Sequence, residues 1–208
     1  MIIKLYNGNP NVRDLRRIAD TLRAGGIVIL PTDTLYCFAC SMEHKKTVET
    51  IAQFKGFRIK QAKYSMLCES MSQMSEYVRP MSREMFAMLK ECLPGPFTFI
   101  MEAAGSVPRN YQNANHTIGI RIPDNDITRA IIAEVGTPLI ATSVRPIDSD
   151  DDPENYTDPE LIHDRFGNRV DIVVDGGIAD PEPSTVVDCS DNIEIIRQGK
   201  GHITIDEQ

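Results

Sequence analysis

Apolar residues recur along this chain in two patterns, one spaced for helices and one packed into short unbroken runs. Val12, Leu15, Ile18, Ala19 and Leu22 fall three or four apart, which predicts a helix capped by Asn11 and stopped at Gly25-Gly26. Ile27–Leu30 is a continuous apolar run closed by Pro31 and reads as a buried strand. Helices are expected over 44–54, 70–78, 82–92 and 126–135, and another opens at Pro159 and carries Leu161, Ile162 and Phe166. Strands are expected at 64–68, 97–101, 117–122, 138–142, 170–174, 185–188 and 193–197. Helices interleaved with short strands predict an α/β sheet, with antiparallel pairs where strands follow one another directly. No internal repeat or Pro/Gly/Ser-rich linker divides the chain, so residues 1–208 are expected to form one domain.

Composition then narrows the function classes. Of 208 residues, 41% are hydrophobic and 25% charged, which is ordinary globular usage and excludes a disordered or collagen-like chain. No apolar run reaches the ~20 residues that span a bilayer. Met1–Tyr6 turns polar too soon for a secretory leader, so a cytoplasmic location without a membrane partner is expected. With 22 basic against 30 acidic residues the net charge is −8, a poor match to nucleic acid or an anionic surface except through a local basic patch. Five cysteines, Cys37, Cys40, Cys68, Cys92 and Cys189, are an odd number and read as reduced thiols. Cys37-Phe38-Ala39-Cys40 lacks the second pair that zinc would need, and buried structural thiols are expected there. The acidic run Asp148–Glu154 lacks the glycine and spaced ligands of a calcium loop and reads as a solvated loop.

Candidate chemistry gathers at strand ends. Pro31-Thr32-Asp33-Thr34-Leu35-Tyr36 follows a strand directly, where α/β sheets hold ligands, and its two hydroxyls and carboxylate could fix a small polar molecule; a plain turn is the alternative. Lys55, Arg58, Lys60 and Lys63 form a basic stretch that suits polyphosphate or, equally, an exposed helix end. Arg121 alternates with Ile120 and Ile122, so it faces away from them, either to solvent or into a polar pocket where it could grip a carboxylate. Thr142-Ser143, Ser184-Thr185 and Arg197 add hydroxyls and a cation at other strand ends. Gly-x-x-x-x-Gly-Lys, Gly-x-Gly-x-x-Gly, Gly-x-Ser-x-Gly and His-Glu-x-x-His motifs are all missing.

Read in order, these stretches resemble the YrdC/YciO-like family, whose best-known members are threonylcarbamoyl-AMP synthases. The matching segments are 25–36, Lys55 to Arg58, 93–98, 117–123, 138–143, 184–188 and 196–199, nearly the whole chain. The resemblance implies a single-domain, twisted, open mixed sheet with a large concave cavity. It also implies a reaction in which ATP with Mg²⁺, bicarbonate and L-threonine give threonylcarbamoyl-adenylate and pyrophosphate for the t6A modification of tRNA. By position, Lys55, Arg58, Thr117, Ser143 and Arg197 would bind ATP, and Thr34, Arg121, Thr142 and Ser184 would bind threonine. No catalytic side chain, metal ligand or permanent cofactor is implied, since alignment and charge shielding suffice. Ser143-Val144-Arg145 stands where the synthases carry Ser-Ala-Asn, the Lys-to-Arg spacing is one residue longer, and Cys37 follows Tyr36 where glycine is common. These departures bring the chain closer to the YciO branch. They leave two alternatives, a double-stranded RNA- or tRNA-binding module and a nucleotide-binding paralogue without synthase activity. Asparagine substituted for Val144 is expected to raise activity if the missing amide is a defect.

Overall fold

The computed structural model describes residues 1–5, 10–54, 64–113, 115–145 and 152–203. Its elements run β1 (Ile2–Lys4), α1 (Val12–Arg23), β2 (Val28–Leu30), β3 (Cys37–Ser41), α2 (Lys45–Phe54), β4 (Ser65–Leu67), α3 (Met71–Ser75), α4 (Arg83–Cys92) and β5 (Phe97–Glu102). There follow β6 (Thr117–Arg121), α5 (Asp126–Val135), β7 (Leu139–Ser143), a 3-10 turn (Pro153–Tyr156), α6 (Pro159–Phe166), β8 (Ile172–Asp175), β9 (Thr185–Asp188) and β10 (Glu194–Arg197). The strands form one mixed sheet in the order β1-β8-β2-β3-β7-β4-β6-β5-β9-β10.

Local chemistry sets the helix ends as the spacing predicts. The Asn11 side chain accepts from the Arg13 amide at 2.9 Å, and Gly25, with φ of +88°, turns the chain out of α1. Asp158 accepts from the Glu160 amide at 2.8 Å just ahead of Pro159 in the first turn of α6. Asp152, from the acidic run, likewise accepts from the Glu154 amide at 3.0 Å; residues 148–151 lie outside the described residues.

Alternation along the strands sorts the core into two layers, because successive side chains leave a strand on opposite faces. On one face Val28, Leu30, Cys37, Ala39, Leu139, Ala141, Ile172 and Val174 meet Ile18, Ala19 and Leu22 of α1 and Ile127, Ile131, Ile132 and Val135 of α5. On the other, Ile29, Phe38, Cys40, Met66, Phe99, Ile118, Ile120, Ile140 and Val173 meet side chains from α2, α3, α4 and α6, among them Ile51, Met74, Leu89 and Ile162. The layer under α1 and α5 stops at Leu67 of β4. Further along, the same face carries Arg121 of β6, then Thr98 of β5, then Arg197 of β10, as the strand registers require. That change from apolar to polar is where the site lies.

The pattern misses two strands. β1 is an edge strand of three residues, too short for periodicity to register. β3 is buried at every position, so it has no polar alternation to mark it.

Candidate active site

The Pro31–Tyr36 segment leaves β2 and enters β3, and it is pinned at every turn. The Thr128 hydroxyl of α5 donates to the Pro31 carbonyl at 2.6 Å. Thr32 Oγ1 donates to the Leu35 carbonyl at 2.7 Å and accepts from the Thr34 amide at 3.0 Å, a local turn of the kind threonine favours. Tyr36, fully buried, donates to the Gly177 carbonyl at 2.7 Å and accepts from the Gly176 amide at 3.1 Å, and burial raises its phenol pKa. The loop is therefore fixed to α5 and to the end of β8.

Arg121 ends β6 and reaches into this loop. Its Nη2 donates to Asp33 Oδ1 at 2.5 Å, Thr34 Oγ1 at 2.7 Å and Thr32 Oγ1 at 3.2 Å, with the Arg121 and Asp33 side chains each 10% exposed. Of the two environments open to it from sequence, the polar pocket is the one it occupies. A nitrogen with two hydrogens cannot serve three acceptors fully at once. Two buried atoms of the same ion pair, Arg121 Nε and Asp33 Oδ2, have no hydrogen-bond partner. Beside them Gly119 leaves the sheet bare: a Cβ there would lie 3.3 Å from both Ser65 Oγ and Thr98 Cγ2.

A second cation stands on the same face. Arg197 Nη2 donates to the Ser184 carbonyl at 2.6 Å, and Ser184 Oγ meets Thr98 Oγ1 at 3.0 Å. Burial, and then the charge on Arg121, lower the pKa of Arg197, and among the described residues no carboxylate pairs with it. Lys200 completes the group, with Nζ 2.9 Å from the Asp33 carbonyl and 2.8 Å from Asp180 Oδ2. Its hydrogen bond holds the Asp180 carboxyl below its ordinary pKa. Three cations thus gather at one end of the sheet in an acidic protein; Asp33 and Asp180 pair two of them, and the unmatched charge of Arg197 suits an anionic ligand.

The structure brings Thr34 to Arg121 and Ser184 to Arg197 by direct bonds. Thr117 shares their face by alternation but lies at the opposite end of β6 from Arg121, about 13 Å away at the rise of a strand. There Asn113 Nδ2 donates to it. Ser143 pairs with Cys37 and so shares the face of α1 and α5, with its hydroxyl donating to the Arg145 carbonyl at 2.9 Å. Thr142 pairs with Phe38, so its side chain leaves β7 on the opposite face; the alternation does not bring it to Arg121. Lys55 and Arg58 lie outside the described residues. The sequence offers Thr32 and Asp33 only as general contacts to a small polar molecule, and it gives no role to Thr98 or Lys200. Lys200 directly follows the Arg197-Gln198-Gly199 stretch, the one signal that could have found it.

Val144, by contrast, is 2% exposed within the core layer of Phe38, and its amide donates to the Tyr36 carbonyl at 2.9 Å. The expectation that asparagine at 144 would repair the site is therefore corrected. Matching Ser143-Val144-Arg145 to Ser-Ala-Asn sets Arg145, not Val144, at the asparagine.

The cysteines are structural. Three positions apart on β3, Cys37 and Cys40 fall in opposite core layers and cannot share a metal. None of the five cysteines forms a disulfide, and burial pushes Cys40, Cys68 and Cys189 up to about 12. Among the described residues no cluster of three or more His, Cys, Asp or Glu could hold a metal, and no helix is long and apolar enough to cross a membrane. A thiol reagent at pH 8 is expected to modify half-buried Cys92 first and the other four only on unfolding. Because folding raises these pKa values, their contribution to stability is full below about pH 9 and is lost as pH climbs toward 12. Alkaline denaturation with the thiols followed at 240 nm checks both; fast modification of Cys40 or Cys68 in the native protein would contradict them.

The Sua5/YciO/YrdC family model, described as telomere recombination, matches residues 20–199. The chain belongs to this family. It is 31% identical over 205 residues to the YciO protein of Escherichia coli (strain K12), covering 96% of this chain and 95% of that one. The crystal structure of E. coli YciO superposes with a TM-score of 0.89 at 29% identity, covering 97% of each chain. A threonylcarbamoyl-AMP synthase of Bos taurus is 31% identical over 194 residues, covering 89% of this chain and 67% of the synthase. The crystal structure of P. abyssi Sua5 complexed with L-threonine shares the fold, with a TM-score of 0.85 at 22% identity, covering 96% of this chain and 57% of Sua5. The expected α/β architecture, one domain built on a large mixed sheet, is the one found.

Proposed function

We propose that this protein is an enzyme of the threonylcarbamoyl-AMP synthase type, joining a carbamate made from bicarbonate and an amino acid to the adenylyl group of MgATP. The observation that carries this reading is Arg121: a buried guanidinium with an unpartnered Nε, set among the hydroxyls of Thr32 and Thr34. An arginine so placed offers a carboxylate a charged hydrogen bond where water is excluded. Arg197, on the same face and with no carboxylate partner among the described residues, supports phosphate binding alongside it. That P. abyssi Sua5, of the same fold, was crystallised with L-threonine supports threonine as the amino acid.

The reaction asks little covalent chemistry of the protein. A carbamate oxygen attacks the α-phosphorus, the bond from phosphorus to the β-bridging oxygen breaks, and pyrophosphate leaves. Holding the two reactants in line and balancing charge with Mg²⁺ and fixed cations is enough to lower the barrier. The product would feed tRNA modification. Direct binding of tRNA or double-stranded RNA would fall to the Lys55–Lys63 stretch, outside the described residues.

Pyrophosphate release from MgATP and bicarbonate, with each amino acid in turn, tests the proposal. Release that depends on L-threonine is expected. Nucleotide binding with no release on any amino acid would replace the synthase with a nucleotide-binding paralogue.

A further inference from the structure

Asp33 presents a problem that the Arg121 pair does not resolve. One carboxylate oxygen, Oδ1, is held by Arg121 Nη2, while Oδ2 is buried with no partner, and Arg121 Nε is left in the same condition. Buried polar groups are nearly always satisfied, and an orphan acceptor is costly to maintain. Here a donor and an acceptor of opposite charge are left open within a single ion pair, in a loop fixed by Thr128, Tyr36 and Lys200. The matching ligand carries a carboxylate and a cationic donor a few ångströms apart.

We propose that Asp33 receives the α-ammonium group of the amino acid through Oδ2, while Arg121 takes its carboxylate, so that the site selects zwitterions over simple acids. The assignment rests on the amino-acid reading above and adds a binding role for Asp33. Lys200, bonded to the Asp33 carbonyl and not to its carboxylate, fixes the direction of Asp33 without consuming Oδ2.

Calorimetric titration with three probes isolates this role. L-Threonine carries ammonium and hydroxyl groups, L-2-aminobutyrate lacks the hydroxyl, and (R)-3-hydroxybutyrate lacks the ammonium. In the wild-type protein both amino acids are expected to bind at least tenfold more tightly than (R)-3-hydroxybutyrate. Asp33→Asn is expected to weaken the two amino acids by roughly 10- to 100-fold, the range for a hydrogen bond to a charged group, and to leave (R)-3-hydroxybutyrate within about threefold.

Equal weakening of all three probes would mean that Asp33 only positions Arg121 and would overturn the proposal. Tightening of all three would overturn it too, by showing Asp33 to be a competitor for Arg121. Should Asp33→Asn not fold, the wild-type comparison still decides: (R)-3-hydroxybutyrate binding as tightly as L-threonine sinks the idea. A wild-type protein that binds none of the twenty amino acids would bring down the amino-acid reading itself, with this proposal, an outcome distinct from the other three.

Discussion

Replacing Arg121 with alanine is expected to weaken L-threonine binding by 100-fold or more while changing ATP affinity by less than about tenfold. A bidentate or side-on guanidinium contact to a carboxylate is among the stronger hydrogen bonds a protein makes, and in a pocket this dry no water replaces it. The same change should cost about 3–5 kcal/mol of stability, because the Asp33 carboxylate, 10% exposed, loses the partner that lets it stay charged. Adding Asp33→Asn to the Arg121→Ala protein should recover much of that stability and none of the binding. Urea denaturation of the wild type and the two variants measures the stability effect, and calorimetry with L-threonine and a nonhydrolysable ATP analogue measures the binding effect. Equal loss of both ligands would mean that the carboxylate contact lies elsewhere, and an unchanged midpoint would mean that Asp33 is more open to water than the structure has it.

The second large effect is at Val144. Asparagine there should destabilise the protein by roughly 2–4 kcal/mol, the sum of a lost buried valine and a buried amide with no partner. Any fall in turnover would follow from the smaller folded fraction, not from a change in the site. Arg145→Asn is the informative partner, because it restores the Ser-x-Asn order at a half-buried position with a far smaller effect on the core. Pyrophosphate release that rises in Arg145→Asn would identify the asparagine as a missing element. A stable, more active Val144→Asn would refute the core placement of that side chain.

Both cases show how far a strand sequence can be read. Arg121 was legible because it sits between two isoleucines: alternation alone turns it away from the core face that they share with Phe38 and Phe99. Its actual partner, Asp33, is far away in sequence and comes from a loop whose residues suit a plain turn just as well. Thr142 and Ser143, adjacent in sequence and both nominated for the site, separate because one pairs with Phe38 and the other with Cys37. β3 escaped detection for the converse reason. A strand buried on both faces has no polar rhythm, and its two cysteines, expected as buried structural thiols, lie in opposite core layers.

By itself the sequence determined the alternation of helices and strands, the capped start of α1 and the glycine that ends it. It also determined the family and the short segments from which a site could be built. These are local or nearly local properties, set by period, by capping side chains and by residue order. Only the tertiary structure decided the strand order β1-β8-β2-β3-β7-β4-β6-β5-β9-β10, the point at which one face turns from apolar to polar, and the meeting of Arg121 with Thr32, Asp33 and Thr34. Those depend on pairing between segments far apart in sequence, 171 residues for Ile2 and Val173 and 89 for Thr32 and Arg121. No local preference encodes such a contact; it is selected by burial of the whole sheet at once.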